Sequence, residues 1–312
     1  MNGLSAPARS IMIRTNKAPA APKPQPGQIS VRDLVGLDDL SQVEAVEREV
    51  WGLAPQDSLP LTMTVATQAA GSIWIGAFDG HQLVGFVFGF PGLEHGQLMI
   101  HSHMLAVQDE YRDLHLGYRL KLAQRERALA MGIQRMTWTF DPLQGKNAHF
   151  NFAKLGVLSE DYRIDFYGPE TSSMLHQNGT DRLWVKWPLA SRRVQQRLLG
   201  GEPRAELLDT LSRLQPLVRF NGDGRPVRTD LSEALTRQRI AIEIPGDIAT
   251  VEDKDRELAH EWRLATRWAF TEAIRAGFLV AEFCRTIRGQ QGPGAYLLEK
   301  GSVEEFIPEL KK

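Results

Sequence analysis

The sequence predicts an α/β fold of the α+β kind, a mixed twisted sheet flanked by helices, followed by a smaller C-terminal α/β region. Three observations carry this reading. An apolar strand, Met104 to Val107, ends in the loop Arg112-Asp113-Leu114-His115-Leu116-Gly117, which opens directly into an amphipathic helix, Tyr118 to Met131. The turn at Gly132 then leads into a second strand, Met136 to Phe140. Upstream, Ser72 to Phe78 and Gln82 to Phe90 are β-rich runs joined by Asp79-Gly80, a turn that wants positive φ and so marks a hairpin.

In order, Gln28 to Leu34 alternates like a first strand. Leu37 to Trp51 spaces Leu40, Val43, Val46 and Val50 along one helical face, and Pro60 can open a second helix through about Ala70. Leu98 to Val107 is the next strand, and the helix and strand around Gly132 follow it. Asn147 to Leu155 is a short helix stopped by Gly156, and strands are expected at Tyr162 to Tyr167 and Arg182 to Trp187. The order from residue 28 to 190 is therefore β-α-α-β-β-β-α-β-α-β-β.

From Ser191 the character changes. Two Arg- and Leu-rich helical segments are split by Gly200-Gly201-Glu202-Pro203. A hairpin is expected at Leu217 to Phe220 and Arg225 to Arg228, a strand at Arg239 to Ile244, a long helix at Asp253 to Ala276, and strands at Phe278 to Phe283 and Ala295 to Glu299. Residues 127–140 and 272–283 both run helix, small-Gly, strand, so the C-terminal part reads equally as a degenerate partial repeat or as a chance likeness. A second copy would lack the arginine-glycine loop, so no nucleotide binding is expected there. Packing 239–244 or 278–283 beside the first sheet would hide a sheet edge.

The 312 residues exceed one average domain. The expected division is an N-terminal arm (1–27) without order, a main domain (28–190), and a C-terminal region (191–312). A net charge of −1 leaves no footprint for nucleic acid or anionic membrane. The single cysteine, Cys284, excludes an intramolecular disulfide and a Cys-cluster zinc site, which makes a reducing, cytoplasmic setting the default. No apolar run approaches the roughly 18–20 residues of a membrane span, and the five prolines of the arm come without the apolar core of a signal peptide.

Strand, tight loop and helix N-terminus make an anion-binding arrangement, because free backbone N–H groups and the helix dipole converge there. The loop is neither a dinucleotide GxGxxG nor a P-loop. It resembles the Q/R-x-x-G-x-G/A segment of the GNAT superfamily of acyl-CoA-dependent N-acyltransferases, through Arg112, Gly117 and the Leu105-Ala106-Val107 strand end. The element order over 28–190 is similar to the GNAT layout as well. The resemblance implies that Arg112, Asp113, Leu114, His115, Leu116, Gly117 and Tyr118 hold the CoA pyrophosphate, while Leu105, Ala106 and Val107 pair with the pantetheine arm. His115 departs from the pattern, standing where the family prefers its first glycine.

Residues 147–157 (NAHFNFAKLGV) resemble a further family segment, which implies that Asn147 or Asn151 bonds the pantetheine or the acyl carbonyl. Phe152 stands where many members carry the tyrosine that protonates the leaving thiolate. That task would then fall to Tyr167, to Tyr162 or to solvent. A base is still needed to take a proton from the attacking amine. His101 and His103 lie two apart on one strand face and titrate near neutrality, and the family often places a glutamate base near His101. Glu94 and His95 are further base candidates. The two histidines also admit a metal reading, but no third ligand is placed, and no metal is expected.

The implied activity is transfer of an acetyl or larger acyl group, such as succinyl, from acyl-CoA to a small amine, an amino acid among the candidates. The competing reading is a non-catalytic acyl-CoA sensor or assembly module that kept the fold. No nucleic-acid or membrane partner is expected, and an open sheet edge permits a homodimer without demanding one.

Overall fold

The computed structural model describes residues 28–168, 178–201, 204–289 and 292–307; the arm expected at 1–27 lies outside them. The main domain runs β1 (Ile29–Asp33), α1 (Gly36–Leu40), α2 (Val43–Trp51), α3 (Leu61–Ala69), β2 (Ile73–Asp79), β3 (Gln82–Glu94) and β4 (Gln97–Val107). A 3₁₀ turn (Asp109–Leu114) leads to α4 (Leu116–Ala130) and β5 (Arg135–Phe140). Helix α5 (Gly145–Ala148) continues into a π-helical turn (His149–Leu155), then β6 (Leu158–Arg163) and β7 (Arg182–Pro188). The C-terminal region runs α6 (Arg192–Leu198), α7 (Arg204–Arg213), β8 (Pro216–Phe220), β9 (Pro226–Arg228), α8 (Leu231–Leu235) and β10 (Arg239–Ile244). It ends with α9 (Ile248–Lys254), α10 (Arg256–Arg275), β11 (Phe278–Cys284), β12 (Gly294–Lys300) and α11 (Val303–Phe306).

All these strands form one sheet in the order β1-β2-β3-β4-β5-β7-β6-β11-β12-β10-β8-β9. Helices α4 and α10 and the π turn pack into the large core on one face, whereas α2 closes a smaller core on the other. Read outward from the β6–β11 junction, the order is β6-β7-β5-β4 on one side and β11-β12-β10-β8 on the other, each ending in a parallel pair. By sheet position β10 is thus the counterpart of β5, and β11 that of β6. The likeness between 127–140 and 272–283 matches elements that occupy different places.

Several elements differ from expectation for local reasons. The helix expected over 37–51 breaks at Ser41-Gln42, where the Gln42 side chain accepts from Leu83 N–H at 2.9 Å and donates to His81 O at 3.3 Å. The strand expected at 162–167 instead covers 158–163. It ends in a turn where Asp165 takes φ 46° and its N–H bonds the Asp181 carboxylate at 3.0 Å. The helix expected over 253–276 is divided by Asp255, whose side chain caps α10 through Leu258 N–H. Trp138, Trp187 and Trp262 are buried and Trp268 packs against the core; Cys284 is a buried thiol.

The halves meet through one ladder pair, Val280 with Ser159, and a set of side-chain clasps. Arg193 of α6 donates to Gly156 O of the main domain at 3.0 Å, and within the C-terminal region Arg193 and Arg197 both grip Glu282 of β11. Arg263 of α10, 1% exposed, holds Asp141 at the end of β5 through two hydrogen bonds of 2.7 and 2.8 Å. Arg267 bonds both Asp181 and Asp165, and Tyr296 OH donates to Pro142 O at 2.6 Å. Burial opposes the Asp181 charge, but Arg267, Tyr162 and the Asp165 amide outweigh it and hold the carboxyl below its usual range.

Glu47, fully buried on α2, accepts from Leu59 N–H at 2.9 Å through one oxygen; its other oxygen has no partner among the described residues. Burial pushes its pKa up to about 7. A carboxyl raised on folding weakens the fold as pH climbs from its unfolded value through that folded value, and the loss persists above it. Glu47→Gln keeps the acceptor and removes the charge. Its unfolding midpoint is expected to rise relative to the parent at pH 8, by the equivalent of about 1–3 kcal/mol, and to match it near pH 5. An equal effect at both pH values would show that Glu47 is charged throughout.

Candidate functional site

Strands β4 and β5 are parallel but pair only at Ile100–Met136 and His101–Thr137, after which they splay. On its other side β4 stays paired with β3 as far as Val107, so from Ser102 onward one backbone edge of β4 faces a gap. The register slips between Phe88 and Gly89, opposite His103, which makes His103 the extra residue of a β-bulge. The gap is a cleft of about 220 Å³ lined by Ser102 to Leu105, Trp138 to Phe140, Asn147, Phe150, Asn151, Trp51 and Lys121.

Next to it, and sharing Phe150, lies a cavity of about 640 Å³ at the N-terminus of α4. Arg112, His115, Gly117, Tyr118, His149, Lys154 and Arg197 line it; among the described residues no carboxylate lines it, although Asp109 pairs with Arg112 at 2.6 Å. His115 takes φ 54°, the left-handed conformation that favours glycine, and from there it turns the 3₁₀ segment into α4. A helix N-terminus ringed by cations suits phosphate groups, and the adjoining cleft with its unpaired strand edge suits an extended amide-bearing chain. The residues present fit acyl-CoA.

The expected site residues gather here unevenly. Arg112, His115, Gly117 and Tyr118 line the basic cavity; Leu105, Asn147 and Asn151 line the cleft. Asn151 also accepts from Trp138 Nε1–H at 3.2 Å. Asp113 is exposed, Leu114 and Val107 pack against the large core, and Leu116 and Ala106 are buried, so these five shape the loop and strand rather than front either space.

His101 and His103 share a face, with ring centroids 6.2 Å apart, yet their settings differ. His101 is buried, stacked on Trp184 at 4.7 Å, and shares a 3.0 Å hydrogen bond between Nδ1 and Thr137 Oγ1. Burial, followed by His103 and Lys121, lowers its pKa to about 4. His103 stands open to the cleft between Phe88 and Phe90, and the protein around it lowers its pKa too. Both rings are therefore neutral at pH 7. Tyr167 places its OH 3.4 Å from Thr139 Oγ1, beside the cleft. Tyr162 points elsewhere, donating to Asp181 at 2.7 Å, and Phe152 is fully buried between Phe140 and Tyr296. Glu94 and His95 sit at the tip of the β3–β4 hairpin.

Sequence reading missed Lys121, Ser102 and Thr139 in the cleft, and His149, Lys154 and Arg197 around the cavity. A signal for Lys121 existed: it shares the inward stripe of α4 with Leu116, Leu120, Gln124 and Ala128. Among the described residues no group of three or more His, Cys, Asp or Glu could hold a metal, and no helix is long and apolar enough to cross a membrane.

Residues 38–157 match the Acetyltransferase (GNAT) family. No curated protein matches the sequence. Three similar solved structures illustrate the range. The aminoglycoside 6'-N-acetyltransferase of Enterococcus faecium aligns with TM-score 0.39 and 19% identity, over 53% of this chain and 98% of that one. The ribosomal-protein-S18-alanine N-acetyltransferase of Escherichia coli aligns with TM-score 0.41 and 14% identity, over 52% and 94%. The PaiA N-acetyltransferase of Thermoplasma acidophilum, in complex with coenzyme A, aligns with TM-score 0.36 and 15% identity, over 51% and 98%.

Proposed function

We propose that this chain, whose residues 38–157 form a GNAT acetyltransferase domain, is a cytoplasmic N-acyltransferase that moves an acyl group from acyl-CoA to a small amine. The observation that carries the proposal is the β4–β5 splay opening beside a basic cavity at the start of α4. Bound there, the thioester would supply an activated acyl carbon. Backbone N–H groups on the gap-facing edge of β4 would donate to its carbonyl oxygen as charge builds. His103, neutral and open to the cleft, takes the proton that the attacking amine must lose.

On the same face Arg163 lies 3.7 Å over the Trp184 ring while holding Asp161. A guanidinium on the acceptor side favours an amine that also bears a carboxylate, in other words an amino acid. The burial of Phe152, away from the cleft, favours the second reading, a sensor that binds without turnover. The matching strand orders on the two sides of the β6–β11 junction support reading 191–312 as a degenerate second copy. Its β8-to-β10 connection holds the short strand β9 and the five-residue α8 in place of a long helix, so it is expected to bind no CoA.

Thermal unfolding with acetyl-CoA, succinyl-CoA and free CoA is the first test. Ligand at about 100 times its dissociation constant adds roughly 2.7 kcal/mol, a midpoint shift of several degrees in a chain this size. No shift with any of them would sink the proposal. A shift without turnover, on a panel of free amino acids and their amides, would select the sensor.

A further inference from the structure

Transfer to an amine expels a thiolate that needs a proton, and Phe152 has none to give. Among the described residues lining the cleft only His103 and Lys121 titrate, and His103 is occupied with the amine. Lys121 projects from the second turn of α4, 3% exposed. Its Nζ donates to Ser102 Oγ at 2.7 Å and lies 3.5 Å from Gln124 Oε1 and 3.7 Å from the centre of the Trp138 ring. Gly89 makes room for this group: a Cβ there would come within 2.7 Å of Gln124 Nε2.

Beside Lys121 stand Ser102 from β4, Trp138 from β5 and Gln124 from its own helix, with His101 close enough to feel its charge; His103, Asn147 and Asn151 line the same cleft. Among the described residues none of these is a carboxylate. A buried ammonium with no anionic partner is an unfinished ion site, and an anion formed in the cleft completes it. Burial holds the lysine well below its usual range, which makes its ammonium a stronger acid than a free lysine.

We propose that Lys121 is the proton donor to the departing sulfur. The amine nitrogen bonds to the acyl carbon, the carbon–sulfur bond breaks with its electron pair on sulfur, and a proton passes from Nζ to that sulfur. Free thiol and a neutral lysine result; the amine's proton leaves through His103, and solvent recharges Lys121 when the product departs. This assignment rests on the N-acyltransferase reading above.

Lys121→Met keeps the length of the side chain without its charge. Acetyl-CoA is expected to shift the unfolding midpoint of the variant as it does the parent. Turnover is expected to fall by about 10²-fold or more. A binding readout separates this role from packing. The parent should bind CoA about tenfold more tightly than desulfo-CoA at pH 8, a difference of about 1.4 kcal/mol, and the variant should bind the two alike. Turnover within threefold of the parent, or an undiminished preference for CoA, overturns the assignment. A parent that binds neither compound overturns the acyltransferase reading instead. Should Lys121→Met fail to fold, Ser102→Ala withdraws the oxygen that aims the ammonium. It is expected to reduce the preference for CoA, and an unchanged preference is equally fatal.

Discussion

His103→Ala is expected to lower turnover by about 10²–10⁴-fold, the usual contribution of a positioned general base, while leaving the acetyl-CoA-induced midpoint shift intact. The bulge turns this ring into the cleft, where it stands open, whereas His101 is locked beneath Trp184 and bonded to Thr137. A base lowered to about 4 is a weak proton acceptor, so His101→Gln should cost far less than the change at 103. The pH profile supplies the sign. His103 must be neutral to act, and burial of its ring holds its pKa below the ordinary histidine value of 6.5. Parent turnover should therefore hold at pH 7 and fall as pH drops through that lowered value. The residual rate of His103→Ala should lack this limb. An acidic limb that survives the substitution would assign the base elsewhere, Tyr167 and the hairpin-tip Glu94 being next in line.

Arg263→Ala is expected to destabilise the fold by about 3–5 kcal/mol, because it strands Asp141 as a buried charge without its partner. Burial works against the Arg263 charge, and Asp141 more than compensates, raising the guanidinium pKa further. Asp141 also accepts from Leu143 N–H at 2.9 Å, fixing the bend that delivers Asn147 and Asn151 to the cleft. The unfolding midpoint should drop by on the order of 10 °C. Replacing both partners, as in Arg263→Met with Asp141→Leu, should recover much of the loss, since no charge is then left unpaired. Less than about 1 kcal/mol lost in the single variant would mean that water reaches the pair and that it stabilises like a surface bridge.

The sequence exposed those parts of the molecule that local rules decide. Asp79-Gly80 marked its hairpin, Gly132 and Gly156 ended their helices at positive φ, and the strand at 239–244 was read with its observed bounds. Breaks imposed by distant partners were not legible: Gln42 is held by the β2–β3 turn, and Asp165 by Asp181 and Arg267. In the site, the loop from Arg112 to Tyr118 could be found because a turn between strand and helix N-terminus is contiguous in sequence. The bulge at His103 could not, since it inserts a residue without altering the pattern of residue types. Lys121 was hidden for another reason: a charged residue on a helix is usually read as a solvated face, and only the splay beneath it reverses that.

Arg197 of α6 lines the basic cavity beside α4 and grips Glu282 of β11, its neighbour in the C-terminal region. One guanidinium therefore joins the filling of the cavity to the docking of α6 on β11. Linkage makes such coupling reciprocal: whatever factor an occupant adds to docking, docking adds to the occupant's affinity. On the acyl-CoA reading proposed above, the C-terminal region supplies part of the cofactor's cavity, and its ion pairs bear on cofactor affinity.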